Sequence, residues 1–82
     1  MYYVYVIRNE CSENYIGYSS DLKARFKAHN EGQNPSTRNQ RWTLIYYEAY
    51  ASQEAARDRE RIRKHDGRTR RALMERINRH YE

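Results

Sequence analysis

Tyr5 and Tyr15 stand ten residues apart, and Arg25 and His29 follow them. A phenol and an imidazole can each move a proton. A guanidinium offers a planar fork that matches phosphate oxygens. Together these types suit a site where a phosphate is held while a proton is transferred. Each has a plainer reading beside that one. The tyrosines can be a cross-strand aromatic pair in a core. Arg25 and His29, at i and i+4, can be an exposed helix face with Asp21 paired to Arg25. Gly17, two residues after Tyr15, allows close backbone approach at a strand end.

The elements that must position these residues can be read from the hydrophobic pattern. Residues 2–8 alternate as a strand, with Val4 and Val6 on one side and Tyr3, Tyr5 and Ile7 on the other. A polar stretch from Asn9 to Asn14 is turn-like, and residues 15–18 make a second strand, so 2–18 reads as a hairpin. Turning near residue 10, it would set Tyr5 opposite Tyr15. Ser19, Ser20 and Asp21 offer N-cap chemistry for an amphipathic helix over 20–30 that carries Leu22, Phe26 and His29, with Asn30 and Gly32 ending it. Residues 33–41 form a polar loop with the one proline, Pro35, and nothing suited to a core.

Trp42 to Tyr50 reads as a third strand, with Leu44, Tyr46, Glu48 and Tyr50 on one face and Ile45, Tyr47 and Ala49 on the other. Trp42 belongs to the core or the sheet rim. Ser52 caps a helix over 53–65, with Glu54 in its first turn, and Asp66-Gly67 breaks it. A last helix over 68–79 bears a narrow stripe of Ala72, Leu73, Met74 and Ile77. The order ββαβαα implies an α+β fold: a small three-stranded antiparallel sheet flanked by helices. Tyr2, Tyr46, Tyr47, Tyr50 and Tyr81 are expected to pack, Cys11 to be a surface thiol, and His65 and His80 to be incidental.

A chain of 82 residues is expected to be one domain spanning 1–82. One cysteine excludes an internal disulfide, and no Cys/His set has zinc spacing, which fits a reducing cytosol. No basic leader precedes the first apolar run, so neither a signal peptide nor a membrane span is expected. The formal net charge is +5. Of the 16 Lys and Arg residues, eight lie between Arg57 and Arg71. That balance points to a polyanionic partner, nucleic acid above all, or else to a solvated helical face.

The joint pattern resembles the GIY-YIG nuclease superfamily, and most of all small members related to the incision domain of bacterial excision-repair nuclease. The residues that carry the resemblance are Tyr3-Val4-Tyr5-Val6, Tyr15-Ile16-Gly17-Tyr18, Arg25-Phe26-Lys27-Ala28-His29-Asn30, Thr37-Arg38, Tyr46-Tyr47-Glu48 and Glu54-Ala55-Ala56 with Arg59-Glu60. It covers about 2–65, leaving 68–82 as a C-terminal helix and tail. The first motif departs from the family, with Tyr3 where glycine stands and Val4 where isoleucine stands.

The resemblance implies a metal-dependent DNA endonuclease, structure-directed or weakly sequence-specific, in DNA repair or processing. It gives Tyr5 the role of general base as a phenolate, its pKa lowered by Arg25 and a metal. Tyr15 would hold the water or phosphate, and Arg25 would clamp the scissile phosphate. His29 matches a position of His or Tyr. Glu60 would hold one Mg²⁺ or Mn²⁺, with Asp58 a neighbouring carboxylate. Lys23, Lys27, Arg38, Arg41, Arg57 and Arg61 would grip DNA phosphates without reading sequence. A cytoplasmic, nucleoid-associated protein follows, as a homodimer or with a directing partner. The competing readings are a non-catalytic basic nucleic-acid-binding module on the same fold and a domain whose basic helix docks an acidic protein.

Overall fold

A computed structural model describes residues 1–81. The strands are β1 (Tyr2–Asn9), β2 (Asn14–Ser19) and β3 (Trp42–Tyr50), and the helices are α1 (Leu22–Asn30), α2 (Gln53–His65) and α3 (Gly67–Tyr81). They follow the expected ββαβαα order. The sheet is antiparallel throughout, with strand order β2-β1-β3. Glu82 and the side chains of His80 and Tyr81 lie outside the described residues. Among the described residues, no helix is long and apolar enough to cross a membrane.

The central strand β1 sends alternate residues to two cores. Val4 and Val6 join Ile16, Ile45, Ala56, Leu73 and Ile77 on the face covered by α2 and α3. Tyr5 and Ile7 join Trp42 on the other face, packed by Tyr15, Leu22, Phe26 and Leu44. α1 therefore roofs the tyrosine face with the Leu22/Phe26 stripe expected of it. Asp21 caps α1 by accepting the Ala24 N–H at 3.1 Å, and Ser52 caps α2 by accepting that of Ala55 at 3.2 Å.

The hairpin turns later than expected, so Tyr5 and Tyr15 are not opposite each other. Tyr5 faces Gly17, and Tyr15 faces Ile7. The cause is Asn9, whose side-chain oxygen accepts the backbone N–H groups of Cys11 at 3.0 Å and Glu13 at 2.9 Å. This local bonding shapes the loop between Asn9 and Asn14 and moves its centre along the chain, with Ser12 in the left-handed region at φ 63°. The two tyrosines share a face as diagonal neighbours.

Two further expectations are corrected. The pairing of β1 with β3 shifts between Val6 and Ile7, from Tyr46 to Leu44. Ile45 is the extra residue of a bulge, so Leu44 lies on the tyrosine face while Ile45, Tyr46 and Tyr50 pack on the other. Tyr47 is 54% exposed, its ring set edge-on to Tyr3.

On the α2 face, Glu48 accepts hydrogen bonds from Arg63 at 2.7 Å, Tyr46 at 2.7 Å and Tyr50 at 3.0 Å. Burial pushes the Glu48 carboxyl up, but these three donors outweigh it and hold its pKa below the ordinary 4.5. A folded pKa below the unfolded one stabilises fully above the unfolded value, and the effect is lost as pH falls through the folded value. Glu48→Gln should therefore lower stability by about 2 kcal/mol at neutral pH, the scale of a charge-assisted bond. Urea unfolding of both proteins should show that gap closing in acid. A gap unchanged with pH would detach it from ionisation.

Candidate active site

Gly17 is where the site begins. The Tyr5 ring crosses directly over it, so a Cβ at Gly17 would fall 2.3 Å from Tyr5 Oη and 2.4 Å from Cζ. The glycine was expected to admit backbone; it admits a side chain instead. Tyr5 is 1% exposed, and its hydroxyl meets His29 Nε2 at 2.7 Å. His29 belongs to neither an exposed helix face nor a solvated patch, being fully buried at the end of α1. The Tyr15 ring stands edge-on to the imidazole, 4.9 Å between centroids. Tyr5, Tyr15 and His29 thus converge.

The other side of His29 is held by Thr37, which the resemblance had marked in the pair Thr37-Arg38 without a role. His29 Nδ1 lies 2.8 Å from Thr37 Oγ1. Thr37 is fully buried, although its loop had seemed unable to contribute to a core. Its carbonyl accepts the Trp42 indole N–H at 3.0 Å, and Asn30 brackets the Trp42 backbone at 2.8 and 3.2 Å. The loop 33–41 is therefore pinned at Thr37 between α1 and β3. Asn34 of the same loop reaches Tyr15 Oη at 3.4 Å.

Arg25 is exposed one turn before His29, and the two line an open groove of about 420 Å³ with Ala28, Gln33, Asn34 and Pro35. Arg25 acts on both titrating groups. Burial pushes the Tyr5 phenol well above its ordinary range. Tyr15 and Glu60 push it the same way, and Arg25 opposes them. Arg25 lowers the phenol as expected, but burial outweighs the guanidinium. Burial, then Arg25, lowers the His29 pKa below the ordinary 6.5, so His29 is neutral at physiological pH.

Glu60 lies on α2 across the sheet, yet its charge is felt at Tyr5. β2 is an edge strand, which leaves α2 side chains a way round to the tyrosine face. Lys64, one helical turn on, pairs with Glu60 at 3.5 Å and sits 5.3 Å from the Tyr15 ring centre. Lys64 was lost among the basic residues of its helix; its i+4 spacing from Glu60 was the available signal. Asp58 points elsewhere, 64% exposed and paired with Arg61 at 3.9 Å. The six basic residues expected to grip DNA are all exposed, but they are spread out. Lys23 lines a groove with Tyr3 and Tyr47, Arg41 one with Asn30 and Glu31, and Arg61 one with His65. Arg57 lies over the Tyr18 ring at 5.5 Å. Arg38 sits on the His29 loop beside Gly32.

The model of the GIY-YIG catalytic domain matches residues 1–72, and the chain belongs to that family. It is similar to the UPF0213 protein SpyM50708 of Streptococcus pyogenes serotype M5 (strain Manfredo), with 39% identity over 64 residues covering 73% of this chain and 67% of that one. The UPF0213 protein SpyM3_1077 of serotype M3 (strain ATCC BAA-595 / MGAS315) is similar at the same identity and coverage. The solution NMR structure of the UPF0213 protein BH0048 from Bacillus halodurans shares the fold at a TM-score of 0.58 and 30% identity, over 92% of this chain and 84% of that one.

Proposed function

We propose that this chain is a metal-dependent DNA endonuclease whose working groups are Tyr5, His29, Tyr15, Arg25 and Glu60. The observation that carries the reading is the buried contact of Tyr5 Oη with His29 Nε2 at 2.7 Å, beside Arg25 at an open groove. Membership of a family of nuclease domains supports it. The relatives' names add nothing about substrate.

The chemistry follows from the protonation states. With its pKa raised, Tyr5 carries its proton at rest, so no phenolate is stored. A water attacking phosphorus loses a proton to Tyr5 Oη as the Tyr5 proton passes to His29 Nε2. The P–O bond to water forms, the P–O bond to the leaving oxygen breaks, and the proton ends on the imidazole. The leaving oxygen is reprotonated from solvent. Tyr15, held by Asn34, orients the water or the phosphate. Arg25 binds nonbridging oxygens and stabilises the charge that gathers there.

The donor set for a cation is one half-buried carboxylate, Glu60. Among the described residues, no three His, Cys, Asp or Glu side chains cluster to hold a metal. That sparse set fits a hard Mg²⁺ or Mn²⁺ ion, which keeps several waters and takes substrate phosphate as a ligand. When bound, such an ion would stabilise charge on the phosphate and on the leaving oxygen. Lys64, 3.5 Å from Glu60 Oε2, would compete with a cation for that oxygen.

Supercoiled plasmid and branched or flapped duplexes, incubated with Mg²⁺ or Mn²⁺, test the proposal. The unaltered protein should cut at least one, and Glu60→Ala should strongly weaken the cut at the same metal concentration while binding persists. Binding without cleavage on every substrate would leave a basic nucleic-acid-binding module. Arg38, Arg41, Lys23, Lys27, Arg57 and Arg61 supply phosphate affinity without sequence choice in either case. DNA repair or processing as the biological setting belongs to this same proposal.

A further inference from the structure

We infer that Thr37 is a positioning residue that fixes the tautomer of His29, keeping the proton on Nδ1 and leaving Nε2 bare toward Tyr5. The inference goes one step beyond the proposed nuclease chemistry and deepens its account of the proton acceptor.

The hydrogen-bond directions along the buried line settle the argument. Thr37 Oγ1 lies 3.4 Å from the Asn34 carbonyl, which can only accept. A Thr37 hydroxyl proton directed there leaves the oxygen lone pairs facing His29 Nδ1 at 2.8 Å. A neutral imidazole has one N–H, and an oxygen lone pair on the Nδ1 side calls for it there. Nε2 is then the lone-pair nitrogen, and the Tyr5 hydroxyl donates to it across 2.7 Å. Along the line, Tyr5, His29 and Thr37 each donate once toward the loop, and the Asn34 carbonyl accepts the last bond. The opposite tautomer would make Tyr5 Oη the acceptor, leaving its own proton without a partner on this line, and would turn the Thr37 hydroxyl from Asn34 to Nδ1. Both His29 and Thr37 are fully buried, so no solvent repairs a mismatch.

The same geometry serves the charged ring. When Nε2 takes a proton, Nδ1–H still donates to Thr37, and nothing on that side has to rearrange. Thr37 lies next to Arg38, on the loop that also carries Arg41. Phosphate contacts at Arg38 are thus one residue from the group that sets the base.

Nitrogen-15 NMR of the full chain, in mildly alkaline buffer, reads the tautomer directly. The expected spectrum shows a pyrrole-like Nδ1 and a pyridine-like Nε2 for His29. Thr37→Ser should keep it, and Thr37→Val should lose the preference. A wild-type spectrum dominated by Nε2–H overturns the inference even if the valine variant does not fold. So does a folded Thr37→Val with an unchanged spectrum. On a substrate the protein cleaves, Thr37→Val should lower kcat about 10–100-fold with KM held, the scale for losing an orienting partner of a functional histidine. Thr37→Ser should restore it, and an unaffected kcat would count against the positioning role. If nothing is cleaved, the nuclease proposal fails while the spectrum still judges Thr37.

Discussion

Tyr5→Phe should reduce metal-dependent DNA cleavage by about 10²–10⁴-fold, the range for losing a general acid–base group. The variant isolates the hydroxyl because the phenylalanine ring keeps the ground that tyrosine covers over Gly17, in the cluster with Ile7 and Trp42. What disappears is the 2.7 Å contact with His29 Nε2. That nitrogen stays buried without a partner, at a cost of about 1–3 kcal/mol. Stability should therefore fall modestly and cleavage steeply. Single-turnover rates beside urea unfolding measure both. A folded variant that cleaves at the unaltered rate would remove Tyr5 from the chemistry.

The comparison with Glu60→Ala is informative, because the two residues come from opposite faces of the sheet. Loss of Glu60 should be countered in part by raising the metal concentration if its role is to hold the ion. Loss of the Tyr5 hydroxyl should not be. The two single variants therefore separate proton transfer from cation binding within one site.

Local chemistry was legible in the sequence; long-range register was not. Asp21 and Ser52 announce their helices because a cap is made within three residues of itself. The strand β3 matched its expected bounds because its alternation is strong and its flanks are polar. The relative placement of Tyr5 and Tyr15 was misread because it hangs on Asn9, whose side-chain bonds displace the centre of the hairpin turn. Leu44 and Ile45 were assigned to the wrong faces of β3 because a bulge between Leu44 and Tyr46 breaks the alternation, and no residue type announces it. Thr37 was marked by the resemblance but given no role, because its partner His29 lies on another element and a threonine in a polar loop looks solvated. The pKa of Tyr5 was misjudged for a related reason. The charge of Arg25 could be counted from the sequence, but the burial that outweighs it could not. Tyr5, Tyr15, Arg25 and His29 were visible as a set because their spacing follows the hairpin and the helix that carry them.

Gly17→Ala should be as damaging to cleavage as Tyr5→Phe, about 10²–10⁴-fold, and should cost stability as well. No positive φ calls for glycine at Gly17. The constraint is the Tyr5 ring, which an added methyl would meet at 2.3 Å from Oη, 2.4 Å from Cζ and 2.9 Å from Cε1. Those atoms belong to a rigid ring, buried and tied to His29, so the ring cannot step aside without breaking that bond. Forcing a methyl into a packed site of this kind costs about 1–3 kcal/mol. Both losses run through one neighbour, which makes the double variant the sharper test. Tyr5→Phe has already removed the hydroxyl, so adding Gly17→Ala to it should cost little further activity. The Phe ring still crosses Gly17, so the stability loss should remain. Activity losses that simply multiply in the double variant would mean that Gly17 acts on cleavage by some route other than the position of Tyr5.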